Sequence, residues 1–311
     1  VSKFHPQSKD ELLSVTTNLM RIQTILTRTR TNKKQVQNDE KAYYDNEKDQ
    51  QSIAEYYRNI DFDQENQEEL FQTLGRLLEE THTRQVRYDP SEYVYPWVDL
   101  RPDGSLRSVY SGNQRDAEEV IKEDYEASLK REREMNKIDK DQEAAQLMRI
   151  AADFKYNCEH TVPQSWYDAR EPMRGDIHQL FTCDPVCNSI RSNYPYHDFP
   201  DYDPNQMEVT RIEKACGKAE DELFEPEHAK GTVARAVLYF LLRYPDKIEA
   251  PHLKTIDAGL LQAWHLKYPP TIYERHRNHA IQEIQGNRNP YIDFPDKMIM
   301  KKYALNNFKP K

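Results

Sequence analysis

The stretch from Asn157 to Tyr196, NCEHTVPQSWYDAREPMRGDIHQLFTCDPVCNSIRSNYPY, constrains this chain more than any other. It holds an adjacent Glu159 and His160, an Asp176-Ile177-His178 triplet, a polar run from Asn188 to Asn193 and three of the four cysteines. A carboxylate beside an imidazole can bind a hard divalent cation while the neutral ring accepts a proton, a pairing that suits hydrolysis. If Glu159 and His160 lie on a strand, their side chains leave opposite faces. They can then share a reaction centre only at a strand end, bulge or tight turn, and Pro163 supplies such an irregular ending.

The 311 residues are enough for one large domain or two of ordinary size. A mean hydropathy of −0.99, set against 20 tyrosines and 10 phenylalanines, indicates a folded protein with a very polar surface. No run of about 18 apolar residues exists, the longest apolar patch being Val237 to Leu242, so no membrane-spanning helix is expected. The start at Val1, without a charged-then-apolar leader, fits a mature exported protein or a trimmed chain. The net charge of −9 is unevenly spread: residues 1–154 carry 23 Lys and Arg against 31 Asp and Glu, the remainder 21 against 22. The half that bears the motif can therefore still gather arginines into a positive groove.

Along the chain, Leu12, Val15, Leu19, Ile22 and Leu26 alternate at spacings of three and four, which predicts a helix over about residues 10–37, capped by Ser8 or Asp10. Its stripe covers two heptads, short of a coiled coil, so it is expected to pack on its own chain, with self-association as the alternative; the oligomeric state is left open. Thr29 to Gln51 lacks apolar periodicity and reads as linker or solvated helix. Helical spacing returns at Ile53, Tyr56, Tyr57, Leu70, Leu74, Leu77 and Leu78, where the main domain is expected to begin, after an N-terminal helical extension and linker over residues 1–52. YVYPWVDLRPDGSLRSVYSG, Tyr93 to Gly112, flanks a Pro102-Asp103-Gly104 turn with aromatic and β-branched residues and predicts a β-hairpin. Residues 116–148 read as a charged helical insertion. Gly231 opens a core helix with Val233, Val237, Phe240, Leu241 and Tyr244 on one side, stopped by Pro245.

CEH-x-VPQSW, the DIH-x-L triplet and N-x-x-RSNY resemble the endonuclease I family of extracellular and periplasmic bacterial nucleases. The Tyr110-Ser111-Gly112 segment, FEPEHAKGTVAR (Phe224 to Arg235) and the QGNRNP of the C-terminal run extend the resemblance over residues 53–295. It implies an α+β fold: a mostly helical domain with a small antiparallel sheet and a ββα-metal (His-Me finger) nuclease core. It also implies a secreted or periplasmic, largely sequence-non-specific endonuclease that cuts DNA, with RNA as a further substrate, to 5′-phosphate products. His160 would be the general base. Glu159 and Asn188 would hold one Mg²⁺, with Mn²⁺ or Ca²⁺ as alternatives. Arg191, one turn after Asn188, would clamp the scissile phosphate, and Arg174 or Arg170 would assist.

Each assignment has a plainer counterpart. Read alone, Asn188 is a helix cap and Arg191 a surface arginine. Asp176 and His178, alternating along an expected second strand, point to one face as scaffold that orients the active-site groups rather than as a second metal site. Arg235, Gln285, Asn287 and Asn289 are expected to hold the C-terminal segment, with DNA contact an alternative for Arg235. Cys158, Cys183, Cys187 and Cys216 suggest one or two disulfides, the rival being a zinc site. Two other functions compete: an inactive nucleic-acid- or partner-binding protein on the same fold, and a zinc-stabilised module.

Overall fold

A computed structural model of the chain describes residues 12–138, 143–202 and 215–299. Among the described residues it is mostly helical with three two-stranded antiparallel ribbons, and no helix there is long and apolar enough to cross a membrane. Helix α1, Leu19–Asn38, starts where the Asn18 side chain accepts from the Arg21 amide. The cap therefore lies well inside the expected helix. Leu12 and Val15 precede the helix, Leu19 is exposed, and Ile22, Ile25 and Leu26 form the buried face. Ser8 and Asp10 lie outside the described residues.

The polar stretch after Thr29 is helical too, through the rest of α1, a turn at Glu40–Tyr43 and α2, Asn46–Tyr56. Its anchors are largely polar: Asp49 is buried and meets the Arg288 guanidinium at 2.9 Å, while the Tyr43 ring stacks on His276 at 4.1 Å. Periodicity searches look for apolar stripes and pass over such anchors.

Helix α3, Gln67–Thr81, buries Leu70, Leu74 and Leu78 as their spacing predicts, each worth about 1.5–3 kcal/mol if fully withdrawn from water. The Tyr93–Gly112 hairpin is not formed as expected. Asp89 caps a helical turn begun by Pro90, and Val94–Val98 continues winding, with Pro96 in the middle, so the upstream arm never extends. The Asp103-Gly104 turn does close, Gly104 donating to the Arg101 carbonyl at 2.8 Å with φ +74°. The ribbon forms one turn later, pairing β1, Leu106–Arg107, with β2, Gln114–Arg115.

Helices α4, Ala117–Met135, and α5, Glu143–Asp153, fill the charged region expected to be helical. Strands β3, Cys158–His160, and β4, Leu180–Thr182, pair with Glu159 opposite Phe181 and His160 opposite Leu180. Helix α6, Pro185–Arg191, follows directly. Asp176 and His178 are not on a strand: Asp176 caps a 3₁₀ turn, Ile177–Gln179, by accepting from the His178 amide at 3.0 Å, and the extended run begins only at Leu180. After the ribbon of β5, Gly217–Glu220, and β6, Leu223–Pro226, come α7, Lys230–Arg243, α8, Ala258–Lys267, and α9, Ile272–Gln285.

Two large apolar clusters flank the β3–β4 ribbon. One gathers α3 and α7 with Trp166 and Phe181; the other joins α1, Val94, Tyr95, Val98 and Ile121 to Cys158 and Leu180. Strand alternation divides the ribbon between them, Phe181 and its partner Glu159 on one face, Cys158 and His160 on the other. Glycine is required at Gly231, where a Cβ would stand 2.5 Å from the Tyr268 carbonyl oxygen; this lets α7 lie against the chain leaving α8.

Candidate active site

The hairpin and α6 bring together Glu159, His160, Asn188 and Arg191. Asn188 donates its side-chain amide to the Cys158 carbonyl at 3.0 Å. Because that carbonyl can only accept, the amide orientation is fixed and Oδ1 is turned away from it. Glu159 is buried, and Tyr110 donates to its Oε1 at 2.8 Å while Arg191 Nε approaches the same oxygen at 3.3 Å. Oε2 takes part in neither contact. Burial pushes the Glu159 carboxyl up to about 7, against the opposing pull of Arg191 and Tyr110.

His160 ends β3 and faces the other way, its ring 4.7 Å from that of Tyr88. Its Nε2 lies 2.9 Å from the Arg174 carbonyl, which can only accept, so Nε2 carries the proton and Nδ1 the lone pair. Gln164 Nε2 reaches Nδ1 at 3.2 Å, and Arg174 Nε donates to Gln164 Oε1 at 2.9 Å, closing a ring of three residues. Burial lowers the His160 pKa to about 3, so the ring is neutral at neutral pH.

Neither arginine is a surface residue. Arg191 is 1 % exposed and directs Nη2 to the Thr161 carbonyl at 2.8 Å and Nη1 to the Ser192 carbonyl at 3.1 Å. Its charge acts on both Glu159 and His160, which links the two faces of the strand. Arg174 is also buried, holding Gln164 through Nε and Ser14 through Nη2 at 2.7 Å. Arg170 bonds its own loop, with Nε on the Tyr167 carbonyl and Asp168 3.6 Å away.

Asp176 is scaffold. Tyr239 and Tyr244 each donate to Oδ2 at 2.8 Å, and Gln285 donates to Oδ1 at 2.9 Å. Burial alone would raise its pKa, but His82, His178 and these bonds outweigh it and hold it below the usual carboxylate value. Gln285 and Asn287 continue this network, and Asn289 bonds the Arg235 carbonyl at 3.2 Å. Arg235 itself is buried in a two-pronged bond to Glu274, at 2.7 and 2.9 Å.

His178 is buried neutral, its pKa lowered to about 4 by desolvation. The unfolded chain, near 6.5, takes up this proton first as pH falls. Stability is therefore full above about pH 6.5 and declines toward pH 4, by roughly 3 kcal/mol from this group. The urea midpoint should fall over that interval, and less steeply in His178→Asn.

Cys187 and Cys216 form a disulfide, tying α6 to the start of the β5–β6 ribbon. Cys158 and Cys183 are buried free thiols. The closest-spaced candidate zinc pair, Cys183 and Cys187, is thereby broken up. Among the described residues no cluster of three or more His, Cys, Asp or Glu stands ready for a metal. Glu159 Oε2 and Asn188 Oδ1 instead offer two hard oxygens from adjacent elements, a donor set that fits a cation retaining most of its water.

The endonuclease I profile matches residues 68–296. The chain belongs to the endonuclease I family. Similar members include a periplasmic deoxyribonuclease of Aeromonas hydrophila, 33% identical over 122 residues, 39% of this chain and 48% of that protein. An extracellular deoxyribonuclease of the same organism is 31% identical over 127 residues, 40% of this chain and 52% of its own. An extracellular ribonuclease of Bacillus amyloliquefaciens is 33% identical over 136 residues, 39% of this chain and 44% of its own. The chain spans about half the length of these curated relatives. In this endonuclease I member Tyr110, Tyr196 and Gln164 also serve the site, although no local pattern in the sequence marks them. All three lie in motif-bearing segments, but their partners are set by the fold.

Proposed function

We propose that this endonuclease I family member is a divalent-metal-dependent, largely sequence-non-specific endonuclease. It hydrolyses DNA, and RNA as a further substrate, to 5′-phosphate products on a ββα-metal core. It would act as an exported, secreted or periplasmic, enzyme. The observation that carries this reading is the opposed pair of arrangements at one strand end: two hard oxygens on Glu159 and Asn188, and an imidazole with its tautomer fixed. Relatives named for deoxyribonuclease and ribonuclease activity support the substrate class.

In this reading His160 Nδ1 takes the proton from the attacking water. The 3.2 Å bond from Gln164 gives way to that water, while the Arg174 carbonyl steadies the imidazolium as it forms. Glu159 and Asn188 would hold Mg²⁺, with Mn²⁺ or Ca²⁺ as substitutes; when bound, the ion neutralises charge developing on the phosphate and on the leaving oxygen. Arg191 favours the ionised form of Glu159 against the effect of burial and keeps it aimed. Its burial favours this role over a direct clamp on phosphate, and Arg174 likewise serves the base through Gln164 and its own carbonyl.

Nicking of supercoiled plasmid tests the reading. Activity is expected with Mg²⁺, none with EDTA, and a loss of at least a hundredfold in Glu159→Gln, the range seen when a key electrostatic group is removed. Cleavage that persists in chelator would rule out metal dependence. A gel shift without turnover at any Mg²⁺ or Mn²⁺ concentration would favour the inactive binding protein.

A further inference from the structure

We propose that Tyr110 is a positioning residue that aims the Glu159 carboxylate at the cation, with Tyr196 fixing Tyr110 in turn; this rests on the metal-site reading above. Tyr110 is fully buried and donates to Glu159 Oε1 at 2.8 Å. Its hydroxyl also lies 2.8 Å from that of Tyr196. A carboxylate accepts only, so the single Tyr110 proton is committed to Glu159, and Tyr196 must donate to Tyr110. The Arg191 guanidinium stands 5.1 Å from the centre of the Tyr196 ring and 3.3 Å from the same Oε1. Cation and phenol thus converge on one carboxylate oxygen, and the other is left for a ligand.

A buried tyrosine needs some partner for its hydroxyl, so the bond alone would be ordinary. What sets Tyr110 apart is how its segment is held. Its neighbour Val109 donates to the Thr182 carbonyl of β4 at 2.8 Å, and its own carbonyl accepts from the His228 amide at 3.1 Å. Ser111 then donates to Asp184, the residue immediately before α6, at 3.0 Å. One short segment therefore braces both elements that bear the oxygen pair, the hairpin with Glu159 and the helix with Asn188.

The test is Mn²⁺ binding followed by electron paramagnetic resonance. Tyr110→Phe keeps the ring that packs edge-on to Phe224 at 5.0 Å and removes only the donor. Its Mn²⁺ affinity is expected to fall about 10- to 100-fold, the usual effect of losing an outer partner of a metal ligand. Nicking should be largely restored at saturating Mn²⁺. Tyr196→Phe should shift affinity in the same direction by less. Tyr239→Phe, which serves Asp176 instead, should leave it unchanged. Wild-type affinity in folded Tyr110→Phe, or in Tyr196→Phe should the first variant not fold, overturns the positioning role. Wild-type binding by Glu159→Gln overturns the metal-site reading itself and the proposal with it.

Discussion

Replacing His160 by alanine is expected to slow plasmid nicking by about 10²- to 10⁴-fold, the usual contribution of general acid–base catalysis. The basis is geometric. Nε2–H is held by the Arg174 carbonyl at 2.9 Å, which leaves Nδ1 as the only ring nitrogen able to take a proton. The substitution also leaves that carbonyl short of a partner, costing about 1–3 kcal/mol. Thermal stability should therefore drop while the circular dichroism spectrum stays native. Added imidazole should restore part of the rate by entering the space beside Tyr88. Single-turnover kinetics at pH 7.5 decide the matter: a loss under tenfold in a folded variant would remove His160 from the base role.

The second large effect concerns stability. Arg288 is fully buried in the QGNRNP motif, with Nε and Nη2 on Asp293 at 2.8 Å each and Nη1 on Asp49 at 2.9 Å. Arg288→Ala leaves two buried carboxylates without their shared cation, and removing one partner of a buried charge pair costs about 3–5 kcal/mol. Asp49 depends on that cation: against burial, which raises it, His279 and Arg288 hold its pKa at about 2. Urea unfolding should show a midpoint lowered accordingly, and a change under 1 kcal/mol would mean the network is compensated elsewhere. Because Asp49 lies in α2, the same measurement reports how firmly the N-terminal helices are tied to the C-terminal motif.

How much of this was legible in the sequence depended on the range of the interaction. Glu159 and His160 are adjacent, Asn188 and Arg191 sit one turn apart, and the apolar run of α7 is continuous, so local pattern exposes all of them. The Tyr93–Gly112 hairpin misled because aromatic content resembles a strand, while Asp89-Pro90 starts a helical turn that takes precedence. Asp176 and His178 looked like alternating strand positions, yet the Asp176 side chain caps a turn there. Asp49 and Arg288 are 239 positions apart, and Tyr110 and Glu159 are 49 apart. No local periodicity links such partners. A polar residue that looks solvated becomes an anchor only when the fold supplies its counter-charge.

In the proposed mechanism Glu159 and Asn188 hold one ion beside the His160 end of β3. Anomalous scattering from crystals grown with Mn²⁺ tests it most directly. A single strong peak is expected, bonded to both Glu159 Oε2 and Asn188 Oδ1, at roughly 2.0–2.3 Å for a small hard cation on oxygen. A peak elsewhere in the molecule, or none at this pair in crystals of active protein, would contradict it.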